Sequence, residues 1–142
     1  MGRPEGKKMG DKVWKVLVAD DEQSVTDVTV KRLKAAGFEA VGAYDGASAV
    51  ELIKTENPDV VVLDLNMPRK DGFTVLKELR AITPPGRWVP VVIVSGRTEL
   101  EDMRKGFDLE ADHYLTKPCT VEEVVSAVRL MAGLIPLRVP GH

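Results

Sequence analysis

From Val13 the chain alternates five times between a short apolar run and a longer segment whose apolar residues recur at helical spacing, with turn residues at each change. Residues 13–19 predict a first strand. A helix follows from Ser24, with Val25, Val28, Leu33 and Ala36 along one stripe until Gly37 stops it. Residues 39–44 alternate as a second strand, and Asp45-Gly46 turns into a helix carrying Ala49, Leu52 and Ile53. That helix ends near Asn57, because the residue before a proline is kept out of helical geometry. Residues 60–63 are apolar on both faces and β-branched for the most part, which predicts a central parallel strand covered on both sides. The next helix, over 72–81, turns Val75, Leu76 and Leu79 inward. A fourth strand over 89–94, a short helix over 100–107 and a fifth strand over 111–115 follow. The last helix runs from Thr120 to about Leu134, with Val121, Val124, Val125, Val128 and Met131 inward and Glu122 and Glu123 at its positive end.

Five βα units predict an α/β fold: a five-stranded parallel sheet, doubly wound, with right-handed crossovers and five helices on its two faces. Residues 1–12 are rich in Gly and basic side chains and are expected to form a flexible tail; 13–135 form one domain, and 136–142, with Pro136 and Pro140, a second tail. At 142 residues a single core needs no disulfide or metal staple, and Cys119 is the one thiol. A net charge of −2 gives no electrostatic footprint for direct nucleic-acid or anionic-membrane binding. Apolar runs stop far short of the ~20 residues of a membrane helix, so a cytoplasmic setting is the expectation.

The unusual residues fall at strand ends. In an open parallel sheet the carboxyl ends of all strands share one rim, where ligands bind. Here strand one ends in Asp20-Asp21, strand three in Asp64, strand four in Ser95 and strand five in Thr116-Lys117. Three carboxylates on one rim repel unless a cation lies between them. An all-oxygen donor set suits Mg²⁺, with Mn²⁺ as the alternative ion, whereas Cys119 and His113 are too few for zinc. Lys117 pairs with the acids, holds an anion, or does both. A divalent cation, an ammonium and the Ser95 hydroxyl are the parts that stabilise a transferring phosphoryl group. A carboxylate can itself be the nucleophile, and Asp64, ending the most apolar strand, is best placed for it.

With Asp20-Asp21, Asp64-Leu65-Asn66-Met67-Pro68 followed by Gly72, then Ser95 and Lys117-Pro118, the chain resembles a receiver domain of the two-component response regulators, over about residues 13–134. The resemblance implies the flavodoxin-like strand order 2-1-3-4-5, an order that a member of this family commonly serves to illustrate. It also implies that Asp64 accepts a phosphoryl group from a sensor histidine kinase, a phosphotransfer protein or a small phosphodonor. Asp21, Asp64 and the Asn66 backbone carbonyl would hold Mg²⁺ directly, and Asp20 largely through water. Lys117 and Ser95, with the backbone N–H groups of Asn66 and Gly96, would bind the phosphoryl oxygens. Ser95 and Tyr114 would form the switch, remodelling the face of the fourth and fifth helices and fifth strand for a downstream protein whose identity the sequence leaves open. A cis Lys117-Pro118 bond is implied by the resemblance alone. Ser95 stands where Thr is usual in the family, Gly96 where Ala is frequent and Cys119 where Phe is frequent.

Each feature has a plainer counterpart. Asp20-Asp21 alone would be a helix cap or solvated turn, and Asn66-Met67-Pro68 a mere turn. Tyr114 alone would be a half-buried strand residue and His113 a strand side chain. Cys119 lies near Lys117, which would lower its pKa, but an inert thiol is expected. Trp14 and Trp88 fall near strand starts, at the pole opposite Asp64. The leading expectation is a signalling switch that catalyses only its own phosphorylation and dephosphorylation. An aspartyl-phosphate phosphatase or phosphotransferase is disfavoured by Asn66, where such enzymes carry a second acid. A phosphate-independent scaffold is disfavoured because the acids and Lys117 are all present. Asn66 and Arg97 flank the site, and the resemblance implies that they tune hydrolysis, in a direction the sequence leaves open.

Overall fold

The computed structural model describes residues 13–96, 104 and 111–138. Five strands, β1 (Lys15–Ala19), β2 (Glu39–Ala43), β3 (Val60–Leu63), β4 (Val91–Ser95) and β5 (His113–Thr116), form one parallel sheet in the order β2-β1-β3-β4-β5. Helices α1 (Gln23–Ala35), α2 (Gly46–Glu56), α3 (Gly72–Ile82) and the C-terminal helix α4 (Val121–Arg138) cover it. The doubly wound fold and the 2-1-3-4-5 order are therefore as expected, and the helix expected over 100–107 lies outside the described residues.

Alternation along the strands divides the core in two. Leu17, Val61, Leu63 and Ile93 point to one face, against Ala49 and Ile53 of α2 and Val75, Leu76 and Leu79 of α3. Val16, Val18, Val60, Val62 and Val92 point to the other, against Leu33 of α1 and Val124, Val128 and Ile135 of α4. β3 is buried on both faces, and Asp64, which follows its end, is buried as well.

Local chemistry sets where the helices begin. Asp45 caps α2 by accepting from the Ser48 N–H at 2.7 Å, and Asp71 caps α3 by accepting from the Thr74 N–H at 2.9 Å. Thr120 and Glu123 form a reciprocal capping box ahead of α4: the Thr120 N–H donates to Glu123 Oε1 at 2.8 Å, and the Glu123 N–H donates to Thr120 Oγ1 at 3.1 Å.

Two helices differ from expectation. In α1, Val25 and Val28 do not form the inward stripe; they are 37% and 48% exposed, and Thr26, Thr29 and Leu33 are buried instead. Both threonine hydroxyls are satisfied locally, Thr26 Oγ1 donating to the Asp20 carbonyl at 2.7 Å and Thr29 Oγ1 to the Val25 carbonyl at 2.8 Å, so their methyl groups can be buried without an orphaned donor. The second difference is at the C-terminus, where α4 continues past Leu134 to Arg138 with Pro136 inside it. Fully buried Ile135 holds that last turn to the core, and the Arg138 guanidinium lies over the Trp88 ring, 4.0 Å from its centroid.

Candidate functional site

Parallel register converts sequence separation into proximity at the rim. Ala19 of β1 pairs with Leu63 of β3, so the residues that follow them, Asp20 and Asp64, stand side by side, and the Asp64 N–H donates to the Ala19 carbonyl at 2.9 Å. Ser95 pairs with Thr116, which brings Lys117 to the same rim, where its N–H donates to the Ser95 carbonyl at 2.8 Å.

The side chains then meet. Lys117 Nζ donates to Asp20 Oδ2 at 2.9 Å and to Asp64 Oδ2 at 3.2 Å, and lies 3.9 Å from Glu22 Oε1. The remaining oxygens are held by backbone N–H groups: that of Glu22 donates to Asp20 Oδ1 at 2.9 Å, and that of Asn66 to Asp64 Oδ1 at 3.0 Å. Asp20 and Asp64 are buried while Asp21 is exposed, and the carboxylate oxygens of all three reach within 4.8 Å of one another.

Charge is not balanced here, since the clustered carboxylates of Asp20, Asp21 and Asp64, with Glu22 beside them, face one ammonium. Burial pushes the Asp64 carboxyl above its ordinary range; the Asn66 N–H opposes this, the neighbouring Asp20 charge adds to it, and Lys117 opposes it again. For Lys117 burial pulls the other way, but the hydrogen bond to Asp20 and the charges of Asp64 and Asp20 outweigh it and raise the ammonium's pKa. The donor set is oxygen only, and its excess negative charge fits a hard divalent cation.

The other anticipated residues are distributed around this centre. Ser95 is fully buried at the end of β4, and Gly96 beside it is exposed, with open space where a side chain would be. Tyr114 of β5 is half-buried and packs on the core beneath α2 and α3, in register with Ile93. The Lys117-Pro118 peptide is cis. Cys119 is half-buried, and burial, with the Glu123 charge, raises its thiol pKa against the lowering effect of Lys117, in line with an inert thiol. Trp14 and Trp88 pack on the core at the opposite pole, where the Trp88 indole N–H donates to Asp112 Oδ1 at 3.0 Å. Arg97 lies outside the described residues.

Sequence inspection misses Glu22 and Thr26 and gives no reason for Gly72. Glu22 supplies an N–H to Asp20, Thr26 binds the Asp20 carbonyl, and Gly72 fits beneath Asp64, where a Cβ would lie 2.4 Å from the Asp64 carbonyl oxygen. A hydroxyl residue soon after Asp20-Asp21 is the available signal for Thr26, but it becomes legible only once the rotation of α1 is known.

The model of the response regulator receiver domain matches residues 16–129. A probable transcriptional regulator, ycf27, of Porphyridium aerugineum is 36% identical over 115 residues, which are 81% of this chain and 46% of that protein. The chain thus spans about half the length of that relative. Among solved structures, the receiver domain of the Francisella response regulator 1452 superposes with a TM-score of 0.76 at 35% identity, covering 84% of this chain and 97% of that one. The Vibrio cholerae chemotaxis protein CheY4, at low pH, superposes with a TM-score of 0.77 at 28% identity, covering 84% of this chain and 98% of that one. With the family's acidic pair, mid-sheet aspartate and lysine arrayed on one sheet rim, the chain belongs to the response regulator receiver domain family.

Proposed function

We propose that this receiver domain is a phosphorylation-dependent signalling switch in which Asp64 takes a phosphoryl group from a sensor histidine kinase or a phosphotransfer protein. The observation that carries the proposal is the convergence of Asp20, Asp21 and Asp64 within 4.8 Å, with Lys117 Nζ donating to two of them. In the transfer, an Asp64 carboxylate oxygen attacks phosphorus, the P–N bond of the donor phosphohistidine breaks, and the imidazole nitrogen keeps the electron pair. Nucleophile and lysine are already paired, so Lys117 can exchange its contact with Asp64 for one with a phosphoryl oxygen without leaving the rim.

Asp20, Asp21 and Asp64, with the Asn66 backbone carbonyl, would hold Mg²⁺ or Mn²⁺. When bound, the cation supplies neutralisation of the charge that accumulates on the phosphoryl oxygens. The Asn66 N–H holds Asp64 Oδ1 in place, and the Asn66 and Gly96 N–H groups become phosphoryl donors after transfer. Asn66 is exposed and carries an amide where a phosphatase would need a second acid, which favours a switch over a turnover enzyme.

Output follows from the Ser95 hydroxyl moving toward the phosphoryl group and Tyr114 turning inward, which biases one of two states of the face around β5 and α4. A shallow groove there, lined by Leu115, Ala127 and Leu130, suits a protein partner. Direct nucleic-acid binding is not part of the proposal, given the net charge of −2. No helix among the described residues is long and apolar enough to cross a membrane. Borohydride reduction of the phosphorylated protein followed by peptide mapping tests the proposal: homoserine at position 64 is expected, and homoserine elsewhere, or none, contradicts it.

A further inference from the structure

The segment between Asp64 and Gly72 carries Asn66 and is pressed against the first turn of α2. A Cβ on Gly46 would lie 1.9 Å from the Lys70 carbonyl oxygen and 2.6 Å from its carbonyl carbon. These are backbone atoms, so no rotamer change relieves the clash; either the loop or the helix must move. Positive φ is not the reason for a glycine here: among the described glycines that conformation belongs to Gly37 and Gly86. What Gly46 supplies is the absence of a side chain at a point of backbone contact.

Other contacts join the same two segments. The Gly46 N–H donates to the Pro68 carbonyl at 3.3 Å, and the Lys70 N–H donates to that same oxygen at 2.8 Å. Between them Arg69 is held at φ 73°, a left-handed conformation, with its guanidinium 3.7 Å from Asp45, the residue that caps α2. At the other end of the loop the Gly72 N–H donates to the Leu65 carbonyl at 3.0 Å. The loop is thus closed at its neck under Asp64 and braced at its back by α2. Asn66, Pro68 and Arg69 are themselves exposed and draw little support from the core.

We infer that Gly46 is a positioning residue for the phosphoacceptor site: the bare first turn of α2 fixes Lys70 and Pro68, and through them the path of the backbone that presents the Asn66 carbonyl and N–H. The inference rests on the roles proposed above for Asp64 and Asn66. It assigns α2, which contributes no side chain to the acidic cluster, a part in cation affinity.

The test uses the full chain as wild type, Gly46→Ala, Ile53→Val and Asp64→Asn. Ile53 is buried at the far end of α2, beside Leu79, and its truncation loosens the same helix without touching the loop. Mg²⁺ affinity is read from the Asn66 amide resonance, and phosphoryl uptake from acetyl phosphate labelling at saturating Mg²⁺. Gly46→Ala is expected to weaken Mg²⁺ binding about tenfold and to slow labelling, the scale seen when outer supports of a metal site are removed. Ile53→Val is expected to lower the thermal midpoint while keeping wild-type affinity. A Gly46→Ala protein with wild-type affinity and labelling overturns the inference. If Gly46→Ala does not fold, the wild type decides: the Gly46 amide should titrate with Mg²⁺ at the same midpoint as Asn66 while Gly133 stays fixed, and a Gly46 amide unmoved at saturation overturns the inference. Failure of the underlying proposal looks different, as a wild type that does not bind Mg²⁺ or an Asp64→Asn variant labelled as fast as wild type.

Discussion

Lys117 Nζ lies 3.2 Å from Asp64 Oδ2, although the two residues are 53 positions apart. The contact exists because β4 is paired in parallel with both β3 and β5, so both strands end on the same rim. It ties the proposed nucleophile to the cation that would receive the product's charge.

Lys117→Met leaves Asp20 and Asp64 adjacent with no ammonium between them. Phosphoryl uptake should fall by roughly 10² to 10³, the range for removing one electrostatic stabiliser from a reaction site. Stability at neutral pH should also fall, and Mg²⁺ should restore part of it. Acetyl phosphate labelling and thermal melts with and without Mg²⁺ check both effects.

Asp64→Asn should stabilise the metal-free protein at neutral pH. Burial and the Asp20 charge raise the Asp64 pKa in the folded state, so this group's contribution is most favourable below its unfolded-state pKa and is lost as pH rises through the folded value. The advantage of the variant should therefore close as the pH falls below the ordinary aspartate range. Denaturant titrations of both proteins across pH measure it; an advantage that grows toward low pH would contradict the sign.

Mg²⁺ should raise the thermal midpoint of the wild type, by the equivalent of about 1.4 kcal/mol at ten times its Kd. Asp21→Ala should lose most of that gain. Asp21 is exposed and sits beside the buried acids, so its removal deletes a donor without opening the core.

Thr26→Val keeps the shape of a fully buried side chain but removes the hydroxyl that donates to the Asp20 carbonyl. A cost of about 1 kcal/mol is expected, with a weaker Mg²⁺ response because Asp20 loses its tie to α1. Urea unfolding and a Mg²⁺ titration check the two parts.

Much of the site was legible because its residues end strands, and a strand's end can be read from where an apolar run stops. Asp20, Asp64 and Lys117 follow their strands directly, so parallel pairing alone brings them together. Rotation of α1 was not legible: valine and threonine have nearly the same shape, and the choice was made by the Asp20 carbonyl, which accepts from Thr26. Nor was the end of α4, where Pro136 reads as a stop but burial of Ile135 and the stacking of Arg138 on Trp88 carry the helix past it. The crowding at Gly46 and Gly72 depends on backbone approach between distant segments, which no local pattern encodes.

The most direct test is intact-mass spectrometry of wild type and Asp64→Asn after incubation with acetyl phosphate and Mg²⁺. The wild type should gain the mass of one phosphoryl group, labile to mild base as an acyl phosphate is, and Asp64→Asn should gain none. Equal, base-labile labelling of both proteins would contradict the assignment of Asp64.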